Sequence, residues 1–101
     1  MSYTVIDFET TGLNHIHDDI VQIGAVKLNH KAETIGVFEI NVRIPAGKTL
    51  PEFITNLTGI TPEDNQGGIV APTAFTMFRA FIGQDTLIAH NAPFDLGFLY
   101  Q

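Results

Sequence analysis

The run Val5-Ile6-Asp7-Phe8-Glu9-Thr10-Thr11-Gly12-Leu13 places two carboxylates one residue apart at the end of an apolar stretch. In a β-strand, residues two apart project from the same face, so Asp7 and Glu9 stand together, roughly 6–7 Å apart along the chain. Two unpaired acids side by side repel and contribute nothing to folding. A cation between them removes that cost, and Mg²⁺ or Mn²⁺ favours carboxylate oxygens. The bland alternative is an acidic strand end entering a polar glycine turn, and the two-residue spacing alone favours that alternative.

A second run, Ile88-Ala89-His90-Asn91-Ala92-Pro93-Phe94-Asp95-Leu96-Gly97-Phe98-Leu99, joins a short apolar strand to a helix start. Taken singly its polar residues have ordinary readings. Asp95 is an acid in the first turn of a helix, favoured by the macrodipole; Asn91 is an N-cap; His90 is a structural histidine. Taken with the first run they say more. If the two strands are neighbours, Asp7, Glu9 and Asp95 surround one pocket, and three carboxylates meeting there cannot all stay ionised without cations.

The elements that must position these groups read as an α/β domain with a mixed sheet and flanking helices. Tyr3 to Glu9 is a mostly buried strand, rich in β-branched and aromatic residues. Asp19 to Leu28 is a second strand, with Ile20, Val26 and Leu28 expected on one face and Val21, Ile23 and Ala25 on the other. From Thr34 to Ile44 the alternation puts Phe38, Ile40, Val42 and Ile44 on one side and Glu39, Asn41 and Arg43 on the other. The short Asn29–Glu33 segment between these two predicts an antiparallel hairpin. Pro51 suits the start of a short helix ending near Gly59, and Thr61-Pro62-Glu63-Asp64 opens another. Pro72 begins a longer helix with Phe75, Phe78 and Ile82 on one stripe and Gly83 as its stop. Thr86 to His90 is a short strand, and Pro93 starts a last helix carrying Asp95, Phe98 and Leu99.

Composition narrows the function classes. The 101 residues make one domain at most; 45% are hydrophobic and 16% charged, which is globular. No apolar run approaches the ~20 residues that cross a bilayer, and no signal sequence opens the chain, so a cytoplasmic protein that does not engage a membrane is expected. Cysteine is absent, which excludes disulfides and thiolate metal sites. The net charge is −6 with only five Lys and Arg. A polyanionic substrate would therefore have to be gripped through bound cations and backbone N–H groups over few nucleotides, not along a basic stripe.

The two long runs resemble the first and second exonuclease motifs of the DEDD superfamily of 3′→5′ exonucleases, whose fold is ribonuclease H-like. Ile6-Asp7-Phe8-Glu9-Thr10-Thr11-Gly12-Leu13 and Ala89-His90-Asn91-Ala92-Pro93-Phe94-Asp95 are most similar to the branch of the bacterial DNA polymerase III ε (proofreading) subunit. Ile23-Gly24-Ala25-Val26 and Leu57-Thr58-Gly59-Ile60-Thr61 agree as well, so the similarity covers nearly the whole chain. The resemblance implies that Asp7, Glu9 and Asp95 are catalytic and bind two divalent cations, Mg²⁺ or Mn²⁺, which activate a water and stabilise the departing 3′ oxygen. It implies that the Thr10, Thr11, Gly12 and Leu13 turn meets the terminal nucleotide, and that His90, Asn91 and Phe94 line the cleft around the substrate strand. The implied partners are a single-stranded DNA 3′ end, with RNA left open, and a DNA polymerase subunit.

The family's third motif supplies a fourth aspartate and a histidine base, expected after Gln101. Residues 1–101 are thus expected to be the amino-terminal portion of one exonuclease domain, lacking a C-terminal strand and helices. His15, His17 and His30 read as solvated loop residues, and His90 belongs to the second motif. The chain alone is expected to be weakly active or inactive and to self-associate through exposed apolar surface. The alternative is a non-catalytic module that docks on a polymerase or on a nucleic-acid 3′ end.

Overall fold

The computed structural model describes residues 2–12 and 18–89. Their order is β1 (Tyr3–Thr10), β2 (Ile20–Leu28), β3 (Thr34–Arg43), α1 (Glu52–Thr58), α2 (Pro62–Gln66), β4 (Ile69–Val70), α3 (Ala71–Ile82) and β5 (Thr86–Ala89). The expected helix from Pro93 lies outside the described residues.

The five strands form one sheet in the order β4-β3-β2-β1-β5. β1, β2 and β3 make an antiparallel meander, with Asp7 opposite Gly24 and Gly24 opposite Glu39. β5 runs parallel to β1 from Tyr3↔Thr86 to Ile6↔Ala89, and β4 runs parallel to β3. Antiparallel neighbours need only a tight turn, and Asn29 supplies one: its N–H donates to the Glu33 carbonyl while its side-chain oxygen accepts from the Lys31 and Glu33 amides. The parallel strands sit on opposite edges of the sheet, so α3 crosses one face to join them.

That face is the core. Ile6 and Phe8 of β1 pack with Ile23 and Ala25 of β2, Val42 of β3, and Ala74 and Phe78 of α3. Phe78 is fully buried, its ring 5.7 Å from that of Phe8 at 72° and 6.0 Å from that of Phe38. A second cluster joins Val21 and Ile44 to Leu50, Ile54 and Ile60 around α1. The alternation expected for β3 holds: Phe38 and Ile40 pack on the core and Val42 is buried, while Glu39 and Arg43 are exposed.

Three observations differ from the sequence reading. Ile20 joins the cluster of Ile23 and Ala25, and its neighbour Val21 enters the other cluster. The cause is a register slip between Glu9 and Thr10, where Glu9 pairs with Gln22 but Thr10 pairs with Ile20. One extra residue in a ladder breaks strict alternation. Pro51 is the N-cap of α1, not its first residue. Finally, β4 was not anticipated. It lies beside β3 next to a fully buried Asn65, whose amide donates to the Val42 carbonyl at 2.9 Å and whose oxygen accepts from the Ile44 amide at 3.1 Å.

Helix ends follow local chemistry. Gly59 closes α1 with φ +82°, a conformation that costs glycine nothing. Thr61 and Asp64 form a reciprocal capping box on α2, and the hydrogen bond from the Thr61 amide, followed by that of its hydroxyl, holds the Asp64 carboxyl below its ordinary 3.8.

At the far end of the sheet, buried Thr4 donates to Asp85 at 2.7 Å, and Lys27 stands 3.0 Å from the same oxygen. The Thr4 hydroxyl first, and Lys27 against the opposing effect of burial, hold the Asp85 carboxyl below its ordinary 3.8. A depressed acid stabilises the fold fully above its unfolded value and loses that contribution as pH falls through the folded one. Acid melting curves of the wild type and Asp85→Asn should therefore separate at neutral pH and converge below 3.8; curves that stay parallel would show that the clamp does not act through this ionisation.

Candidate metal and nuclease site

The core fixes where the acids point. Because Ile6 and Phe8 are buried against α3, the residues between and after them, Asp7 and Glu9, project from the opposite face. On that face Asp7 is exposed and lies across from Gly24, which offers no side chain, while Glu9 is partly buried beside Gln22. Gln22 turns its amide towards β3, donating to Glu39 and Asn41 at 3.3 Å each.

Burial first, and the negative charge of Asp7 second, push the Glu9 carboxyl above its ordinary 4.5. Raising an acid's pKa in the fold means that its ionisation opposes folding, so without a cation stability falls as pH rises from below 4.5 through the raised value. A divalent ion between the carboxylates would reverse that penalty. Two carboxylates on one face, one of them reluctant to ionise, are thus a donor set that suits a hard cation with oxygen ligands. Among the described residues no three His, Cys, Asp or Glu side chains come together as a metal-holding group. Asp95, the third acid of the sequence reading, lies outside them, as do Leu13, His15, His17, His90, Asn91 and Phe94. What the described residues do fix is the exit of β5: Ala89 sits beside Ile6, one residue short of Asp7.

His30 is described, and it is exposed in the turn after Leu28. Leu28 pairs with Tyr3, so this histidine lies at the end of the sheet away from Glu9.

Beyond Glu9 the ladder slips and a separate set of hydrogen bonds shapes the turn. Thr10 donates its hydroxyl to the Gly12 carbonyl at 2.6 Å. The Thr11 amide donates to the Asp19 carbonyl at 2.8 Å, and the Asp19 amide donates to the Thr11 hydroxyl at 2.9 Å. That hydroxyl in turn donates to Asp18 at 3.3 Å. Asp18 lies so close over the turn that a Cβ on Gly12 would come within 2.7 Å of its Cγ. Gly12→Ala should therefore displace the Asp18 carboxylate and shift the amide resonances of Thr11 and Asp19, while leaving those of β3 in place; an unchanged spectrum would show that the turn absorbs the methyl group.

Asp18, Asp19 and Lys48 were not singled out by the sequence. Two adjacent acids just before a strand are a recognisable turn signal, but nothing local connects them to Lys48, 29 residues on, whose ammonium meets Asp19 at 2.8 Å. Together with Thr11, Ile44, Thr49 and Pro51 they line a cleft of about 250 Å³ beside the turn.

The sequence matches the RNase_T family profile, described as exonuclease, over residues 4–101. It is 41% identical over 98 residues to the PolC-type DNA polymerase III of Lactococcus lactis subsp. lactis (strain IL1403), covering 97% of this chain and 6% of that protein. It is 40% identical over 98 residues to the PolC-type DNA polymerase III of Listeria innocua serovar 6a, covering 97% of this chain and 7% of the relative. The chain thus spans a small fraction of the length of these relatives. In three dimensions it is similar to apo exonuclease I, with a TM-score of 0.86 at 16% identity over 97% of this chain and 23% of that one. It is likewise similar to E. coli exonuclease I in complex with a dT13 oligonucleotide, with a TM-score of 0.85 at 16% identity over 97% and 22% of the two chains. That likeness establishes the fold: a mixed sheet with flanking helices, of the ribonuclease H-like exonuclease type.

Proposed function

The chain belongs to the exonuclease family matched over residues 4–101, and on that premise we propose that it carries the divalent-metal centre of a 3′→5′ exonuclease acting on single-stranded DNA ends. The observation that carries this reading is the placement of Asp7 and Glu9. They share the open sheet face, while β5 ends at Ala89 alongside Ile6, six residues before Asp95 in the sequence. Asp7, Glu9 and Asp95 are the proposed ligands of two Mg²⁺ or Mn²⁺ ions. When bound, such ions would lower the pKa of a water and stabilise charge on a displaced oxygen.

The chain's own residues would orient the strand. The Thr10–Gly12 turn with Leu13 would receive the terminal nucleotide, and His90, Asn91 and Phe94 would line the path of the strand. Stacking on apolar or aromatic side chains is tolerant of sequence, as removal of terminal nucleotides requires. With five Lys and Arg against eleven Asp and Glu, the chain offers little for long-range phosphate binding. A polymerase that presents the 3′ end would make up that deficit, which accords with relatives that are DNA polymerase III chains.

A fourth carboxylate and a histidine base from a third motif are not assigned within these residues. Acid–base catalysis alone is worth ~10²–10⁴-fold, so the 101-residue chain by itself should degrade a 3′-labelled oligonucleotide slowly or not at all with Mg²⁺. Rapid release of labelled mononucleotide, abolished by Asp7→Ala, would overturn that expectation of low activity while upholding the site. Release from the 5′ end would overturn the polarity.

A further inference from the structure

We infer that Lys48 and Asp19 form a tether that positions the Thr10–Gly12 turn, so that Lys48 is a positioning residue for the terminal nucleotide; the inference rests on the exonuclease reading above. The need for a tether follows from the register slip after Glu9. Up to Glu9 the chain is held by regular pairing with β2. Past it, Thr10 pairs with Ile20 and the Thr11 hydroxyl donates to Asp18, but the backbone of Thr11 is held by Asp19, whose carbonyl accepts from the Thr11 amide and whose amide donates to the Thr11 hydroxyl. Whatever fixes Asp19 therefore fixes Thr11.

Lys48 is built to do so. Its amide donates to the Pro45 carbonyl at 3.2 Å across a turn in which Gly47 adopts φ +87°. On either side of that turn Ile44 and Leu50 are buried, in the cluster that also holds Val21, two residues beyond Asp19. The loop is thus a post anchored at both ends in the second core cluster. From it the Lys48 ammonium reaches Asp19 at 2.8 Å, across the cleft that separates the loop from the turn. Asp18 and Asp19 both line that cleft with Lys48, two acids to one base, and Lys48 already meets Asp19 at 2.8 Å, so it is better placed to neutralise Asp19 than to bind the substrate strand directly.

The ion pair is partly exposed, with side chains 49% and 24% accessible, so its loss should loosen the turn without unfolding the domain. For such a pair the expected change is about two- to fivefold. In Lys48→Ala, the Thr11 and Asp19 amides should exchange with deuterium about two- to fivefold faster, with β2–β3 amides unchanged, and affinity for a short single-stranded oligonucleotide, measured with Ca²⁺, should fall by a similar factor. Lys48→Arg should restore both, and Mn²⁺ affinity should stay constant across the series, which a general loss of structure would not allow. Asp19→Asn separates tethering from direct phosphate contact: it should mimic Lys48→Ala. If Asp19→Asn binds the oligonucleotide as well as the wild type or better, Lys48 acts on phosphate and the tether is overturned. Equal exchange and equal affinity in the wild type and Lys48→Ala overturn it too. A wild type that takes up Mn²⁺ but no oligonucleotide overturns the role of the tether in holding a nucleotide, whereas a wild type that takes up neither overturns the exonuclease reading itself.

Discussion

Replacing Asp7 by alanine is expected to abolish the stabilisation of this domain by Mn²⁺. An ion that binds only the folded chain stabilises it by about 2.7 kcal/mol at a free concentration of roughly 100 Kd. For a domain of this size that corresponds to a rise in melting temperature of roughly 10–20 °C. Asp7 is exposed on the open sheet face, away from the core, so its removal should leave the metal-free melting temperature nearly unchanged and erase the rise. Glu9→Ala should do the same for binding, but with a difference in the metal-free state. The Glu9 carboxyl is pushed up by burial and by Asp7, so truncating it also removes an unfavourable ionisation near neutral pH. Glu63→Gln, on the exposed surface of α2, serves as the control that should keep the full Mn²⁺ response. A rise of the same size in Asp7→Ala and the wild type would place the ion elsewhere.

The second large effect is in the core. Phe78→Ala should destabilise the fold by about 3–5 kcal/mol, the usual range for deleting a buried aromatic ring. At roughly 4–8 °C per kcal/mol the melting temperature should fall by upwards of about 12 °C. Since a small domain holds only about 5–15 kcal/mol in all, much of the chain would be unfolded on mild heating. The effect should reach the site as well. Phe8, between Asp7 and Glu9 in sequence, packs edge-on against Phe78, and that contact keeps the two acids on the outer face. Phe78→Ala should therefore weaken Mn²⁺ binding even below its melting transition. Urea unfolding monitored with and without Mn²⁺ measures both consequences, and a loss below about 1 kcal/mol would mean that the neighbouring rings refill the space.

Where the fold was legible in the sequence, a local rule agreed with the tertiary context. The alternation of Phe38, Ile40 and Val42 announced β3, because one face of that strand is buried and the other is not. Gly59 and Gly83 mark the ends of α1 and α3, where positive φ is needed. Asp7 and Glu9 were legible as a pair because period-two geometry follows from two residues alone. What escaped the reading depends on distant partners. Ile69 and Val70 are too few to show a period, and they become a strand only beside β3 next to the buried Asn65. The slip after Glu9 involves a count of residues between two strands, which neither strand carries by itself. The Lys48–Asp19 pair links segments 29 residues apart and has no local signature. The exonuclease relationship was legible from whole phrases, and the family match and the DNA polymerase III relatives bear it out.

The open sheet face of β1 carries both the acids and apolar neighbours. Val37 and Ile35 on β3 and Ile88 on β5 are 67%, 54% and 45% exposed. We propose that this surface drives self-association of the 101-residue chain, which sedimentation at rising concentration would reveal and a concentration-independent monomer would refute.

A divalent ion held between Asp7 and Glu9 should be located by amide spectra recorded while Mn²⁺ is titrated in, because a paramagnetic ion broadens the resonances nearest to it. Broadening should begin at the amides of Ile6 to Gly12 and at Gln22 and Gly24, which pair with Glu9 and Asp7, and Asp7→Ala should remove it. Broadening centred on Glu63 and Asp64 or on Asp85, or none at all, would show that Asp7 and Glu9 hold no ion.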